Sequence, residues 1–307
     1  NLDYNEKCLL FGFIKMNYKI RDKFEYCNNK QGFINIFPAL GNISLQHTVL
    51  PRRLISCLTS RPLEYIAKEN KFTLFYLDFL CVHRKFRKKG LGAKQIFTHY
   101  LEARKKNIAT IFVYKCMGLG GIRVPITTFK IYTIMAQSWN KVNVNLPRNI
   151  STYLINSANS KLLIHFFKEL TNQFDCVIMP KIFTLVKLIA QDYILPTIIL
   201  DNQKVVCATF FRKPIIKISG QYTIECIGSY CRKGYEDTFR ESFSNSIVLL
   251  QKQYKFSMIS IENISHNYIL LHKILKRSIP KRIDIAGYYF YNCALAPHLS
   301  PEVFIIN

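Results

Sequence analysis
The chain has 307 residues, 49% of them apolar and 14% aromatic, which is enough to build a full core and excludes global disorder. Twelve glycines and eleven prolines with no short period exclude collagen-like and low-complexity classes. Lys plus Arg number 43 against 19 acids, a formal charge of +24, so the chain attracts polyanions: nucleic acid, an anionic membrane or a phosphorylated cofactor. At about 150 residues per domain the length fits two domains or one large one. The ten cysteines include no C-x-x-C pair and lie mostly in apolar runs, so they read as free, buried thiols in a reducing compartment such as the cytoplasm. No stretch of 18 apolar residues predicts a membrane-spanning helix, and no signal-like apolar region opens the sequence. The seven histidines show no ligand spacing, and no metal is implied.

Taken in chain order, residues 1–140 predict apolar strands around 53–59 and 72–82, a helix at 90–106 and a strand at 109–115. The polar segment 141–150 reads as a linker. Residues 151–307 then predict a helix over 153–170 and strands at 197–200, 204–211 and 222–229, with Asp201-Asn202 turning a hairpin. Phe239, Phe243, Ile247 and Leu250 recur at steps of three and four and predict an amphipathic helix. A strand at 256–261, a helix at 267–276 and strands at 286–292 and 303–306 complete the chain. Each half combines a mixed sheet with a few helices, which predicts an α+β fold with two similar sheets able to merge.

The densest chemistry lies at 74–93, LFYLDFLCVHRKFRKKGLGA. An apolar strand runs into a loop carrying Arg84, Lys85, Arg87, Lys88 and Lys89, and Gly90-Leu91-Gly92-Ala93 opens a helix. Glycines permit close backbone approach, and the free N–H groups of a helix start favour negative charge, so the stretch reads as an anion cradle. A solvated basic turn before a helix is the plainer alternative.

Arg87-Lys88-Lys89-Gly90-Leu91-Gly92 resembles the R-x-x-G-x-G pyrophosphate loop of the N-acetyltransferase superfamily, which binds acyl-CoA. Asp78-Phe79-Leu80-Cys81-Val82-His83-Arg84-Lys85-Phe86-Arg87 resembles the N-F-L-C-V-H-K-K-L-R signature of glycylpeptide N-myristoyltransferases. Further similarities lie at Asn17-Tyr18 with Phe24-Glu25-Tyr26, at Arg53–Pro62, Val113-Tyr114, Ser138-Trp139-Asn140, Phe210-Phe211 with Pro214, and Tyr230. Tyr288-Tyr289-Phe290-Tyr291-Asn292 is similar to the family's Y-Y-L-Y-N, and the sequence closes on Val303–Asn307 at about the family's distance from it.

The resemblance implies two N-acetyltransferase-like halves related by a pseudo-two-fold, residues 1–140 holding acyl-CoA and residues 151–307 most of the peptide. It implies transfer of a C14 group from myristoyl-CoA to the N-terminal glycine amine of peptides and proteins. The family's base is its C-terminal carboxylate, here that of Asn307, and the backbone N–H groups of Phe79 and Leu80 form its oxyanion hole. Phe79, Leu80, Cys81, Val82, Arg87, Lys88, Lys89, Gly90, Leu91, Gly92 and Ala93 are implied to hold acyl-CoA. Tyr18, Phe24, Tyr26, Asp78, Lys115, Gly118, Phe211 and Tyr230 are implied to meet the peptide. An α-amine titrates at roughly 7.7–8.0 and an α-carboxylate at roughly 3.3–3.7, so burial of the carboxylate behind Val303–Ile306 is expected to make it a stronger base. His83 is expected to be structural.

The chain departs from the family at several positions. Asp78 replaces the signature's Asn, Lys115 stands at the Thr of T-A-G, and Met117–Gly121 is longer and richer in Gly. Tyr18-Lys19-Ile20-Arg21-Asp22 replaces an acidic loop, Ala136 a His, and Cys231 an Asn. A tolerance for less basic peptides is therefore expected. The family's N-terminal acyl-holding segment has no visible counterpart before Asn1. Two other readings stay open: an acyltransferase with another acyl chain or a lysine acceptor, and a nucleic-acid-binding or structural protein. No nucleic-acid motif supports the last, and no specific nucleic-acid partner is expected. A monomer is expected, with transient ribosome or membrane-surface contact through its basic surface.

Overall fold
The computed structural model describes residues 3–17, 24–26, 44–50, 53–68, 70–105, 111–118, 124–139 and 146–307. Its strands are β1 (Phe24–Tyr26), β2 (Ser44–Leu50), β3 (Arg53–Ala67), β4 (Asn70–Val82), β5 (Phe112–Met117), β6 (Pro125–Met135) and β7 (Ile150–Leu154) in the first part. β8 (Cys176–Met179), β9 (Ile194–Asp201), β10 (Lys204–Ile218), β11 (Gln221–Cys231), β12 (Met258–Glu262), β13 (Arg282–Phe290) and β14 (Val303–Ile305) follow. The helices are α1 (Tyr4–Asn17), α2 (Leu91–Lys105), α3 (Lys161–Leu170), α4 (Ile182–Ala190), α5 (Glu236–Gln253) and α6 (Asn267–Arg277). This is the expected α+β class.

All the strands join one sheet, ordered β14-β8-β3-β4-β5-β13-β6-β12-β11-β10-β9-β7, with β2 beside β3 and β1 beside β10. The centre of that order is symmetric. β3-β4-β5-β13 pair antiparallel, parallel, antiparallel, and β10-β11-β12-β6 repeat the same sequence of pairings from the other side. Each parallel step crosses over through one helix, α2 or α5. The strands β6 and β13 are exchanged: β13 completes the unit built by β3–β5, and β6 completes the unit built by β10–β12.

Sequence periodicity accounts for the core. Phe239, Phe243, Ile247 and Leu250 of α5 are all buried, and Phe243 packs against Trp139 and Phe211 with ring centroids 5.0 and 6.0 Å apart. On the other face Phe210 packs edge-on against Phe304 at 5.6 Å. The hairpin after β9 turns through Asn202 and Gln203, both at positive φ, one residue later than expected.

The helix expected over 153–170 begins only at Lys161. Ser151, Thr152 and Tyr153 suit the edge strand β7, and the Asn156 side chain accepts from the Ala158 N–H at 2.9 Å, closing a turn that stops helix propagation. α1, which had no place in the expected order, starts with a reciprocal cap: Glu6 N–H donates to Asp3 Oδ1 and Asp3 N–H to Glu6 Oε2.

Because β13 lies between β5 and β6, neither half of the chain contains its own complete sheet. Residues 1–150 and 151–307, expressed separately, are expected to lack a cooperative thermal transition by circular dichroism, and co-expression is expected to restore one. A sharp transition in either fragment alone would contradict this.

Candidate functional site
β4 and β5 lie parallel but are in register only at Phe75 with Phe112 and Tyr76 with Val113. Beyond those pairs β5 continues against β13, and β4 runs on along β3 alone. The strands thus part where β4 reaches Asp78. Here β4 also bulges: Cys57 faces Cys81 and Thr59 faces Asp78, so the single residue Leu58 stands opposite Phe79 and Leu80. Phe79 sits at φ +50°, a left-handed conformation uncommon for a bulky residue. Thr59 Oγ1 donates to the Asp78 carbonyl at 3.1 Å, and Cys57 Sγ donates to the Phe79 carbonyl at 3.4 Å, pinning the bulge from β3. The Phe79 N–H donates to Asp78 Oδ1 at 2.9 Å. A hydrogen bond with Cys81, reinforced by burial, pushes the Cys57 thiol up, and the same bond, with help from the Arg87 charge, holds Cys81 down.

The anion cradle follows directly. His83 Nδ1 accepts from the Lys85 N–H at 3.3 Å and starts the turn Arg84–Phe86. Lys88 and Gly90 adopt positive φ, +60° and +72°, and swing the chain into α2 at Leu91. Arg84, Lys85, Arg87, Lys88 and Lys89 are exposed. Arg87 nonetheless ties the turn to the protein, donating to the Val82 and Asn17 carbonyls. A Cβ built on Gly92 would lie 3.9 Å from Leu80 Cδ2, so the first turn of α2 packs on the bulge. The unpaired N–H groups of a helix start therefore stand beside the parted strands. α2 is fixed to β3 by Ser56 Oγ donating to Gln95 Oε1 and by His99 Nε2 with Ser60 Oγ at 2.8 Å.

Three ion pairs line the interior next to this opening. Arg61 Nη2 lies 3.8 Å from Asp78 Oδ2, Lys115 Nζ 2.6 Å from Glu262 Oε1, and Arg212 Nη1 2.9 Å from Glu225 Oε2. Tyr193 is buried, and burial pushes its hydroxyl up. Tyr288 reaches Glu262 Oε2 at 3.5 Å, and burial together with that carboxylate pushes its hydroxyl well up. Burial alone would raise the Glu225 carboxyl, but the Arg212 and Lys115 charges and the Arg212 hydrogen bond outweigh it and hold Glu225 below its ordinary value.

Asn307 is 1% exposed. Parallel pairing of β14 with β8 carries the chain to it, and β14 passes so close to β11 that a Cβ at Gly228 would lie 3.6 Å from the Ile305 carbonyl. Arg212 Nη2 donates to the Asn307 carbonyl oxygen at 2.6 Å and to its side-chain Oδ1. The burial expected at the end of the sequence is present, but with a guanidinium on the terminal residue rather than an apolar surround alone.

The expected site residues divide accordingly. Phe79, Leu80, Cys81 and Val82 end β4 at the bulge, Phe79 and Cys81 buried there, and Arg87–Ala93 follow in the turn and the start of α2. Asp78 and Lys115 lie on the ion pairs, and Gly118, at φ +86°, ends β5 with its N–H on the Ile285 carbonyl at 2.6 Å. Phe211 does not join them: it faces the opposite side of the sheet from Phe210 and is fully buried against Phe243 under α5. Tyr230 is likewise buried, between the rings of Phe166 and His266. Phe24 and Tyr26 pair in β1 with Ile218 and Ile216, their side chains lying outside the described residues, as do Tyr18 and the segment 19–22. Arg61, Tyr193, Arg212, Glu225 and Glu262 carry no motif; the one signal they offer is a lone charge or hydroxyl inside an apolar strand.

Replacing Arg212 by Gln leaves Glu225 buried without its cation, with an expected loss of about 3–5 kcal/mol in urea unfolding at neutral pH. Because the folded Glu225 titrates below its ordinary 4.5, the native pair stabilises above that pH and loses its contribution as pH falls through the lower value. In the variant, burial raises Glu225, which protonates first, so the deficit is expected to shrink as the pH is lowered from 7 towards 4. A deficit constant across that range would sink the assignment.

No protein-family model and no curated protein matches the sequence. The structure is similar to a Saccharomyces cerevisiae N-myristoyltransferase with bound myristoyl-CoA, at TM-score 0.76 and 13% identity over 97% of this chain and 78% of that one. It is equally similar to the same yeast enzyme with myristoyl-CoA and inhibitors, at TM-score 0.76 and 13% identity over 97% and 80%. A probable N-acyltransferase from Enterococcus faecalis matches at TM-score 0.54 and 11% identity over 94% and 70%. The resemblance read from the signature at 78–92 therefore extends through the architecture: the chain has the N-myristoyltransferase fold.

Proposed function
We propose that the chain is an acyltransferase that passes a C14 acyl group from myristoyl-CoA to the α-amine of an N-terminal glycine. The observation that carries this reading is the packing of the α2 start on the β4 bulge, with Gly92 against Leu80. It brings a helix start beside a strand bulge, and in this reading the first would receive the CoA phosphates and the second the thioester oxygen. The bound myristoyl-CoA of the yeast proteins with this fold supports the choice of donor.

In this reading the cations Arg84, Lys85, Lys88 and Lys89 and the N–H groups of Leu91–Ala93 receive the CoA phosphates. The thioester carbonyl lies over Phe79 and Leu80. The glycine amine attacks the carbonyl carbon, and the oxygen takes up negative charge that the two N–H groups stabilise. The C–S bond then breaks, and the nitrogen's second proton goes to the departing CoA sulfur. Its first proton leaves the ammonium before attack, to the Asn307 carboxylate, which Arg212 orients and Glu225 balances in charge. No cysteine forms a covalent intermediate. Residues 1–140 hold acyl-CoA and residues 151–307 most of the peptide. Lys115 spends its charge on Glu262, so it does not repel a basic peptide, and any change in peptide preference falls on residues 19–22.

The test is the intact mass of a glycine-leading peptide after incubation with the protein and myristoyl-CoA or acetyl-CoA. A C14 adduct on the α-amine is expected, with none from acetyl-CoA. Appending one residue after Asn307 is expected to lower the rate at least about 100-fold, the scale of a lost general base. Transfer of short acyl groups alone, or to lysine side chains alone, would replace this reading with that of a different acyltransferase.

Phosphate binding is tested separately. Changing Lys88 and Lys89 together to Ala is expected to weaken CoA binding several-fold and to reduce its salt dependence, because exposed cations act through a screened field. Unchanged affinity and salt dependence in calorimetry would place the phosphates elsewhere.

A further inference from the structure
The donor proposed for the oxyanion is already engaged. Asp78 Oδ1 takes the Phe79 N–H at 2.9 Å, a carboxylate oxygen on the hydrogen that a thioester oxygen would need. The other carboxylate oxygen faces Arg61, whose Nη2 is 3.8 Å away, an ion pair but too long for a hydrogen bond. Arg61 is itself 3% exposed, and its Nε is buried without a hydrogen-bond partner. Its guanidinium is held 5.0 Å over the Tyr76 ring, which keeps the cation in place without using its N–H groups. Asp78 thus stands between one donor it occupies and a second that is under-used.

We propose that the Asp78 carboxylate is a built-in surrogate for the thioester oxygen: it takes the Phe79 N–H of the oxyanion hole and moves onto Arg61 when the acyl thioester arrives. This rests on the acyl-CoA reading above. Rotation of the Asp78 side chain suffices, because the backbone is anchored independently by Thr59 Oγ1 on the Asp78 carbonyl. The positive φ of Phe79 lies in a bulge pinned to β3 through the Asp78 and Phe79 carbonyls, so rotation of the Asp78 side chain leaves it in place, and the carboxylate gives the Phe79 N–H a partner. Arg61 is then a positioning residue: it supplies the place to which the surrogate withdraws.

The experiment is calorimetric titration of the full chain with three probes: CoA, myristoyl-CoA, and S-tetradecyl-CoA, a thioether with no carbonyl. Asp78→Asn exchanges a charged acceptor for a neutral one on the Phe79 N–H. It is expected to tighten myristoyl-CoA binding roughly five- to tenfold, the difference between charged and neutral hydrogen bonds. CoA and the thioether are expected to bind as they do to the wild type. Arg61→Gln removes the withdrawal site and is expected to weaken myristoyl-CoA selectively, the opposite sign. Asp78→Glu keeps the charge beside Arg61 but carries the oxygen a methylene past the N–H, and is expected to tighten the thioester selectively too; it provides the test if the Asn variant does not fold. Equal shifts for thioester and thioether, or none, with CoA still bound, would overturn the proposal and leave Asp78 a structural partner of Arg61. Failure of the wild type to bind CoA at all would overturn the acyl-CoA reading itself.

Discussion
A charge taken out of water must find a counter-charge, and in this chain that requirement shapes the ground around the site. Arg61, Lys115 and Arg212 are each matched by one carboxylate, of Asp78, Glu262 and Glu225. None of the six could be left alone there without a penalty comparable to a large share of a protein's net stability. The pairs bridge strands: β3 to β4, β5 to β12 and β10 to β11. The pair from β5 to β12 joins the two symmetric units of the sheet, and the other two each brace neighbouring strands within one unit. The same pairing fixes the end of the sequence, because Arg212 divides its donors between Glu225 and Asn307.

The balance of charge bears on the proposed reaction. Arg212 divides its donors between Glu225 and Asn307, so the base proposed there would share its counter-charge with a buried carboxylate. In that reaction an incoming ammonium would be drawn to the same place, and the group that attracts it would also accept its proton.

What could be read in the sequence was what is local. The start of α2 and the turn before it are legible because glycine at positive φ and a run of cations mean the same thing in most contexts, and the α5 face follows from spacing alone. The ion pairs are different. Lys115 and Glu262 are 147 residues apart, and Arg212 and Asn307 are 95 apart, so nothing within a window marks them as partners. The resemblance implies Phe211 at the peptide, yet neighbouring strand residues face opposite sides of the sheet, and the side Phe211 takes is closed by Phe243 of α5. The reversal of the 153–160 segment from helix to strand and turn has a similar origin: an Asn side chain closing on the backbone beats a weak helical period. Asp78 could be singled out by its departure from a signature, but its bond to the next residue's N–H depends on a bulge that β3 imposes.

The exchange of β6 and β13 has a consequence for synthesis on the ribosome. β5 receives its antiparallel neighbour only when Phe290 reaches Val113 and Ala286 reaches Met117. At roughly 5–20 residues per second, the edge of β5 waits on the order of ten seconds or more before that neighbour has been made. Through that interval Phe112 and Val113, both buried in the finished protein, sit at an open sheet edge. Nascent chains are thus exposed to misassociation for longer than a domain that closes its sheet in sequence order, and a chaperone acting on the first 150 residues has a defined surface to cover.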